Sequence, residues 1–242
     1  MKLRFLLTND DGVDAPGLAA MADVASEFGE SIIVAPHVEL SGCSHRVTVD
    51  RPLELQELSV GRYRLDGTPA DCVRVALAHL KLEVDYVLAG INPGGNLGAD
   101  VWISGTVAAV REAALWKVPG IAVSQYRRSR EPVDWRRATE WTRRALRELL
   151  ASELPPGAFW NVNLPDPPPE STGRDTTGRD AGEPTLVHCP LDAGRLDVRY
   201  ESAGDRILYR GRYQDRPRSA GCDVEQCFEG AIAVTRLTAG TL

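Results

Sequence analysis

The chain has 242 residues, 43% of them hydrophobic, enough for one α/β domain with a sizeable core or such a domain with an appended piece. A net charge of −6 excludes the basic surface of a dedicated nucleic-acid binder, so no stable nucleic-acid complex is expected. It leaves room for a small anionic ligand, because a bound cation reverses the local field. No run of about 18 apolar residues is present, so no transmembrane helix is expected. The N-terminal apolar run, Leu3 to Leu7, passes straight into Thr8, Asn9, Asp10 and Asp11, too short a stretch for a signal peptide. The expected location is the cytoplasm. Cys43, Cys72, Cys189, Cys222 and Cys227 are scattered and form no CxxC pair, which signals neither a disulfide framework nor a zinc site. They read as reduced packing residues.

Residues 4–8 form a short apolar run, the pattern of a strand buried on both faces. Pro16 suits the first turn of a helix that runs to about Phe28 and stops at Gly29. Residues 31–35 are a second strand. Together these make a β-loop-α-β unit, the building block of a parallel sheet. Residues 46–55 and 62–65 read as strands of a hairpin, and 70–80 has helical spacing. Residues 86–89 are a buried strand entering the Gly-rich loop 90–98. A helix over 104–116, a strand over 121–124, a helix over 134–150 with Asp134 as N-cap, and a strand over 159–164 follow. Residues 166–183 are rich in Pro, Gly, Ser, Thr and Asp and read as a flexible linker or insertion. Residues 186–213 alternate apolar and polar, as in antiparallel strands or an extended arm, and 231–234 is a last strand. The expected organisation is a doubly wound α/β body over 1–165, a linker over 166–183, and a β-rich extension over 184–242.

In an open parallel sheet, ligands bind beyond the carboxyl ends of the strands. Asp10 and Asp11, the Ser41 loop, the loop from Asn92 to Gly98, and Ser124 all fall at that edge. Asp10-Asp11-Gly12 is also ordinary turn chemistry. Adjacent carboxylates repel, however, unless a cation or proton is shared between them. A hard divalent ion suits one or two carboxylates completed by neutral oxygens, here the Ser41 hydroxyl and the Asn92 amide. No His or Cys is placed for a softer site, which favours Mg²⁺ or Mn²⁺ over Zn²⁺. The Gly-rich loop leading to Ser104, Gly105 and Thr106 reads either as a set of residues needing positive φ or as an oxyanion cradle. In the second reading Asn96, Ser104 and Thr106 donate to phosphate and the following helix aims its free N–H groups at the same point. It is neither a Walker A loop nor a well-formed GxGxxG. Arg127, Arg128 and Arg130 form a basic run of the kind usually solvated, and His37, His45, His79 and His188 carry no clear catalytic signal.

Four stretches in order give these motifs a family likeness. Thr8-Asn9-Asp10-Asp11-Gly12 with Ala15-Pro16-Gly17 resembles the opening of the SurE family, the stationary-phase survival proteins that act as 5′/3′-nucleotidases. Ala35-Pro36 with Ser41-Gly42, Gly67-Thr68-Pro69-Ala70-Asp71-Cys72-Val73, and the loop from Gly90 to Gly98 followed by Ser104-Gly105-Thr106 are similar to that family's later motifs. Asn161-Val162-Asn163-Leu164-Pro165 matches the strand that closes its body. The resemblance implies a three-layer α/β/α Rossmann-like fold and divalent-metal-dependent hydrolysis of nucleoside monophosphates, a phosphoric monoester hydrolase of the 5′-nucleotidase type. It implies one Mg²⁺ or Mn²⁺ per subunit on Asp10, Asp11, Ser41 and Asn92, and phosphate contacts from Asn96, Ser104, Gly105 and Thr106. It also implies a homodimer or homotetramer that exchanges C-terminal segments. Asp10 and Asp11 are the expected catalytic residues, as ligands, base or nucleophile.

The loop His37-Val38-Glu39-Leu40 departs from the polar or basic residues the family usually carries before Ser41, and its Glu39 would add negative charge near an anionic substrate. Non-nucleotide phosphate esters or polyphosphate are the alternative substrates. A haloacid-dehalogenase-type phosphatase would separate its aspartates by one residue, whereas here they are adjacent. A Mg²⁺-binding receiver-like signalling domain would need an acceptor Asp ending the 86–89 strand, and Ala89-Gly90-Ile91-Asn92 offers none.

Overall fold

The computed structural model describes residues 2–129, 131–166, 183–195, 198–211 and 213–240. A mixed nine-stranded sheet forms the centre. Its strands, in chain order, are β1 (Leu3–Thr8), β2 (Gly29–Pro36), β3 (Leu55–Ser59), β4 (Arg62–Leu65), β5 (Tyr86–Asn92), β6 (Gly120–Gln125), β7 (Ala158–Leu164), β8 (Leu186–His188) and, after a separate hairpin, β11 (Ile232–Thr238). They lie in the order β3-β4-β2-β1-β5-β6-β7-β11-β8. β1 pairs in parallel with β2 on one side and β5 on the other, so the winding reverses at β1. That is the switch point where open α/β sheets bind ligands.

Helices cover both faces. Strand residues alternate sides, so Leu7, Leu88, Val123 and Val162 pack beneath α1 (Pro16–Ser26) and α4 (Trp135–Leu149). Leu6, Val87, Ala89, Ala122 and Phe159 pack beneath α2 (Pro69–Arg74) and α3 (Gly105–Leu115). This is the expected three-layer α/β/α architecture. α1 begins with Pro16 in its first turn, and a Cβ on Gly17 would lie 1.9 Å from the Ile91 carbonyl oxygen. The missing side chain lets the helix start against the end of β5.

Several elements differ from the sequence expectation. Residues 46–54 are irregular rather than a strand, because their polar groups bond to the α2 N-terminus. Thr68 Oγ1 donates to the Arg46 carbonyl, and the Thr48 N–H and hydroxyl donate to Asp71. β3 begins only at Leu55 and forms the antiparallel hairpin with β4. α2 passes after Arg74 into a π-helical turn, Val75–His79. Beyond Glu183, β8 and β11 extend the main sheet: β11 is antiparallel to β7 and parallel to β8. Between them, β9 (Tyr200–Ala203) and β10 (Arg206–Tyr209) make a separate antiparallel ribbon whose residues are all exposed. A short helix, α5 (Asp223–Phe228), lies where the sequence pattern predicts none; it packs Val224, Cys227 and Phe228 against Leu97 and Tyr126. Residues 167–182 of the expected linker lie outside the described residues. All the cysteines are free thiols, with Cys72, Cys189 and Cys227 buried.

Candidate metal and phosphate site

Beyond Thr8, the side chain of Asn9 closes a tight turn: its amide accepts from the Gly12 N–H (3.2 Å) and donates to the Gly12 carbonyl (2.9 Å). The turn delivers Asp10 and Asp11 off the end of β1 at the switch point. Asp10 is buried, and its Oδ1 accepts a 2.5 Å hydrogen bond from the Thr106 hydroxyl. The first turn of α3 lies directly on it. A Cβ on Gly105 would stand 2.9 Å from Asp10 Oδ2 and 2.8 Å from Cys43 Sγ. Only glycine lets the helix N-terminus come this close, and the Gly105 and Thr106 N–H groups at its positive dipole end bond the Asp10 carboxylate.

Burial pushes the Asp10 carboxyl above its ordinary range, against the pull of the Thr106 hydroxyl and the backbone N–H groups around it. Asp11 is pushed up to about 7, first by burial, then by the charges of Asp10 and Glu39. Its Oδ2 is buried with no hydrogen-bond partner. An orphaned carboxylate oxygen beside a second carboxylate is an electrostatic arrangement that a cation relieves. Among the described residues no three His, Cys, Asp or Glu side chains converge, so an ion here would rest on two carboxylates and neutral oxygens. That donor set fits a hard ion of the Mg²⁺ kind.

The neutral oxygens come from the neighbouring strand ends. The loop after β2 is tied in by the Leu40 N–H, which donates to the Asp10 carbonyl at 2.7 Å. Ser41 is exposed, and its hydroxyl donates to Glu39 Oε1 at 2.7 Å. With its proton held there, the oxygen retains lone pairs for a cation. Asn92 ends β5; its Nδ2 donates to the Gly94 carbonyl at 2.6 Å, leaving Oδ1 as the atom it can offer.

The expected phosphate residues sit at the same edge, but most of their side chains already have protein partners. Thr106 is fully buried and its hydroxyl bonds to Asp10, so it positions a carboxylate instead of facing open solvent. Ser104 is the α3 N-cap, accepting from the Val107 N–H at 3.1 Å. Asn96 Nδ2 donates to Ser124 Oγ at 2.7 Å. The physical reason is common to all: side chains this buried need partners within the protein. The first-turn N–H groups of α3 are spent as well, those of Gly105 and Thr106 on Asp10 and that of Val107 on Ser104 Oγ, so what remains for an anion is the Ser104 hydroxyl proton and the second hydrogen of the Asn96 amide.

Two residues of this frame were named in the sequence only as part of a strand. Asn163 grips the Asn96 backbone at both ends: its Oδ1 accepts from the Asn96 N–H (2.8 Å) and its Nδ2 donates to the Asn96 carbonyl (3.1 Å). Asn161 Nδ2 donates to the same carbonyl at 2.8 Å. Asparagines at alternate positions of an otherwise apolar, wholly buried strand were the available signal. Gly98 is held in the same way from the C-terminal region, its N–H donating to Asp223 Oδ2 at 2.8 Å.

Comparison with known proteins places the chain in a family. The family model described as Survival protein SurE matches residues 5–181. A Nostoc sp. protein provisionally named a 5′-nucleotidase is 47% identical over 236 residues, covering 97% of this chain and 99% of that protein. The 5′-nucleotidase SurE of Paramagnetospirillum magneticum is 37% identical over 240 residues, covering 97% and 89%. The crystal structure of the SurE protein from Aquifex aeolicus superimposes with a TM-score of 0.82 at 28% identity, over 99% of this chain and 94% of that one. In sequence and fold, this chain belongs to the Survival protein SurE family.

Proposed function

We propose that the protein is a phosphoric monoester hydrolase that uses one divalent ion, Mg²⁺ or Mn²⁺, to release phosphate from nucleoside monophosphates. The observation that carries the reading is the Asp10–Asp11 pair at the switch point, with Asp10 against the N-terminus of α3 and Asp11 Oδ2 buried and unpartnered. The names of the relatives, 5′-nucleotidases, support the substrate class. Action on 3′-nucleotides is the further expectation from the family likeness.

Asp10, Asp11, Ser41 and Asn92 would hold the ion. When bound, such an ion neutralises phosphate charge and acidifies water. The residues of the chain do the remainder. The Ser104 hydroxyl and the Asn96 amide orient the phosphate oxygens while the α3 N-terminus holds Asp10, and phosphoryl transfer depends mainly on such positioning and electrostatic stabilisation. Thr106 holds Asp10 against α3. Asp11, whose Oδ2 has no protein partner, is the better placed of the two carboxylates to take a proton from attacking water.

The reading extends to assembly and location. An isolated two-stranded ribbon is marginal in water, and β9–β10 exposes Tyr200, Ile207, Leu208 and Tyr209. A second copy of the chain would cover that surface in a homodimer or homotetramer. Among the described residues no helix is long and apolar enough to cross a membrane, and the proposed location is the cytoplasm.

The test is phosphate release from a panel of nucleoside monophosphates with EDTA, Mg²⁺ or Mn²⁺, alongside Asp11→Asn. Metal-dependent release that collapses in the variant is expected. Release from other phosphate esters or polyphosphate but from no nucleotide would overturn the substrate class. Equal release in EDTA would overturn the metal.

A further inference from the structure

Four residues beyond Ser41, His45 lies in a polar network on the flank of α3, away from Asp10. Arg111 Nε donates to His45 Nδ1 at 2.9 Å, and His45 Nε2 lies 2.8 Å from Glu112 Oε2. A guanidinium can only donate, so Nδ1 is the acceptor and Nε2 carries the proton given to Glu112. Glu112 is buried in α3 and is also bonded by Arg74 Nε (2.8 Å) and Trp116 Nε1 (3.0 Å). Burial alone would raise its carboxyl, but the hydrogen bonds from His45, Arg74 and Trp116 prevail and hold it down to about 2. The imidazole is therefore clamped between a buried cation and a fixed anion, with one ring nitrogen assigned to each.

The turn between Ser41 and His45 is tied down at a second point as well. Ser44 has a positive φ of 55°, a conformation costly for a residue with a side chain. It is held by its N–H to the Ile103 carbonyl (3.0 Å) and its hydroxyl to the Trp102 carbonyl (2.7 Å). Both carbonyls immediately precede the α3 N-cap. One helix thus grips Asp10 through Thr106 at its first turn and the Ser41 turn through His45 two turns on.

We infer that His45 is a positioning residue for the metal site: by pinning the Ser41 turn to α3, the helix that also holds Asp10 through Thr106, it fixes Ser41 relative to Asp10 and Asp11. The inference rests on the proposed metal set. It assigns no catalytic step to the imidazole.

Mn²⁺ binding to the full chain, followed by calorimetry and by electron paramagnetic resonance of the free ion, tests it without relying on turnover. His45→Ala is expected to raise the Mn²⁺ Kd by up to about 10-fold, no more than loss of the Ser41 hydroxyl it positions. kcat at saturating Mn²⁺ should stay near that of the unsubstituted protein. His45→Gln, which can still donate to Glu112, is expected to recover most of the affinity. Thr48→Val cuts another tie of the same segment, to Asp71, farther from Ser41. It should lower the Tm and leave the Mn²⁺ Kd unchanged. Unaltered Mn²⁺ affinity in His45→Ala overturns the inference, as does equal weakening in Thr48→Val, which would reduce His45 to a generic loop anchor. Should His45→Ala fail to fold, His45→Asn, too short to reach Glu112, takes its place: weakened Mn²⁺ binding supports the inference and unaltered binding overturns it. No Mn²⁺ binding by the unsubstituted protein would remove the metal reading itself, a failure distinct from that of His45.

Discussion

The site has two halves of different construction. In the inner half, Asp10, Thr106, Ser104 and Asn96 are buried, and their hydrogen bonds go to other fixed groups of the protein. In the outer half, Ser41 is exposed and hydrogen-bonded to an exposed Glu39, Asn92 is half-buried, and Asp11 keeps one oxygen without a partner. The contrast separates two tasks that a single set of residues would perform poorly. A frame must not move when charge develops, so its side chains are satisfied within the protein. Groups that exchange solvent for ion and substrate must remain available, so they sit at the rim.

The comparison predicts a ranking of substitutions. Asp11→Asn, which spans the two halves, is expected to lower phosphate release about 100- to 10,000-fold if the carboxylate serves as base as well as ligand. Steady-state assays at saturating Mn²⁺ would show it, and a loss that added metal fully restores would reduce Asp11 to a ligand. Thr106→Val removes the hydroxyl from Asp10 inside the frame and should lower kcat/KM about 10- to 100-fold. Asn163→Leu leaves the Asn96 N–H short of its partner and should cost about 1–3 kcal/mol of stability, read by urea unfolding. Ser41→Ala, at the rim, should weaken Mn²⁺ binding by less than about 10-fold. If Ser41→Ala proved more damaging than Thr106→Val, the division into frame and rim would be wrong.

The smallest effect concerns pH. Without metal, Asp11 keeps its proton up to about 7 in the folded chain, against an ordinary value of 3.8. Between those values the folded state binds the extra proton, so the stability this proton contributes is fully present below 3.8 and is lost as pH rises through about 7. In EDTA, the Tm should therefore fall as pH rises across that window. Mn²⁺ affinity should rise over the same range, because the ion displaces the proton. Asp11→Asn should flatten the first slope, and Glu39→Gln, by removing a neighbouring charge, should move its midpoint to lower pH. A metal-free Tm independent of pH in this window would show that Asp11 is already ionised.

Much of the fold was legible because it is encoded locally. Apolar runs of strand length, Pro16 at a helix start, Asp134 at an N-cap and the Asp10-Asp11-Gly12 turn each carry their reason in adjacent residues. α5 was not legible because six residues carry too little periodicity to announce a helix. The irregular path of residues 46–54 was hidden for the opposite reason: its alternation is strand-like, but its hydrogen bonds are taken by Thr68 and Asp71, distant in the chain.

By itself, the sequence determined which residues reach the binding edge, since strand ends and the loops that follow them are read from short-range pattern. Only the tertiary structure decided what each of those side chains touches. Thr106 serves Asp10, Asn163 holds Asn96, and His45 fastens the Ser41 turn to α3. Such assignments depend on hydrogen bonds between residues 66 to 96 positions apart. No local pattern encodes those pairings, because they exist only once the sheet and α3 have been packed together.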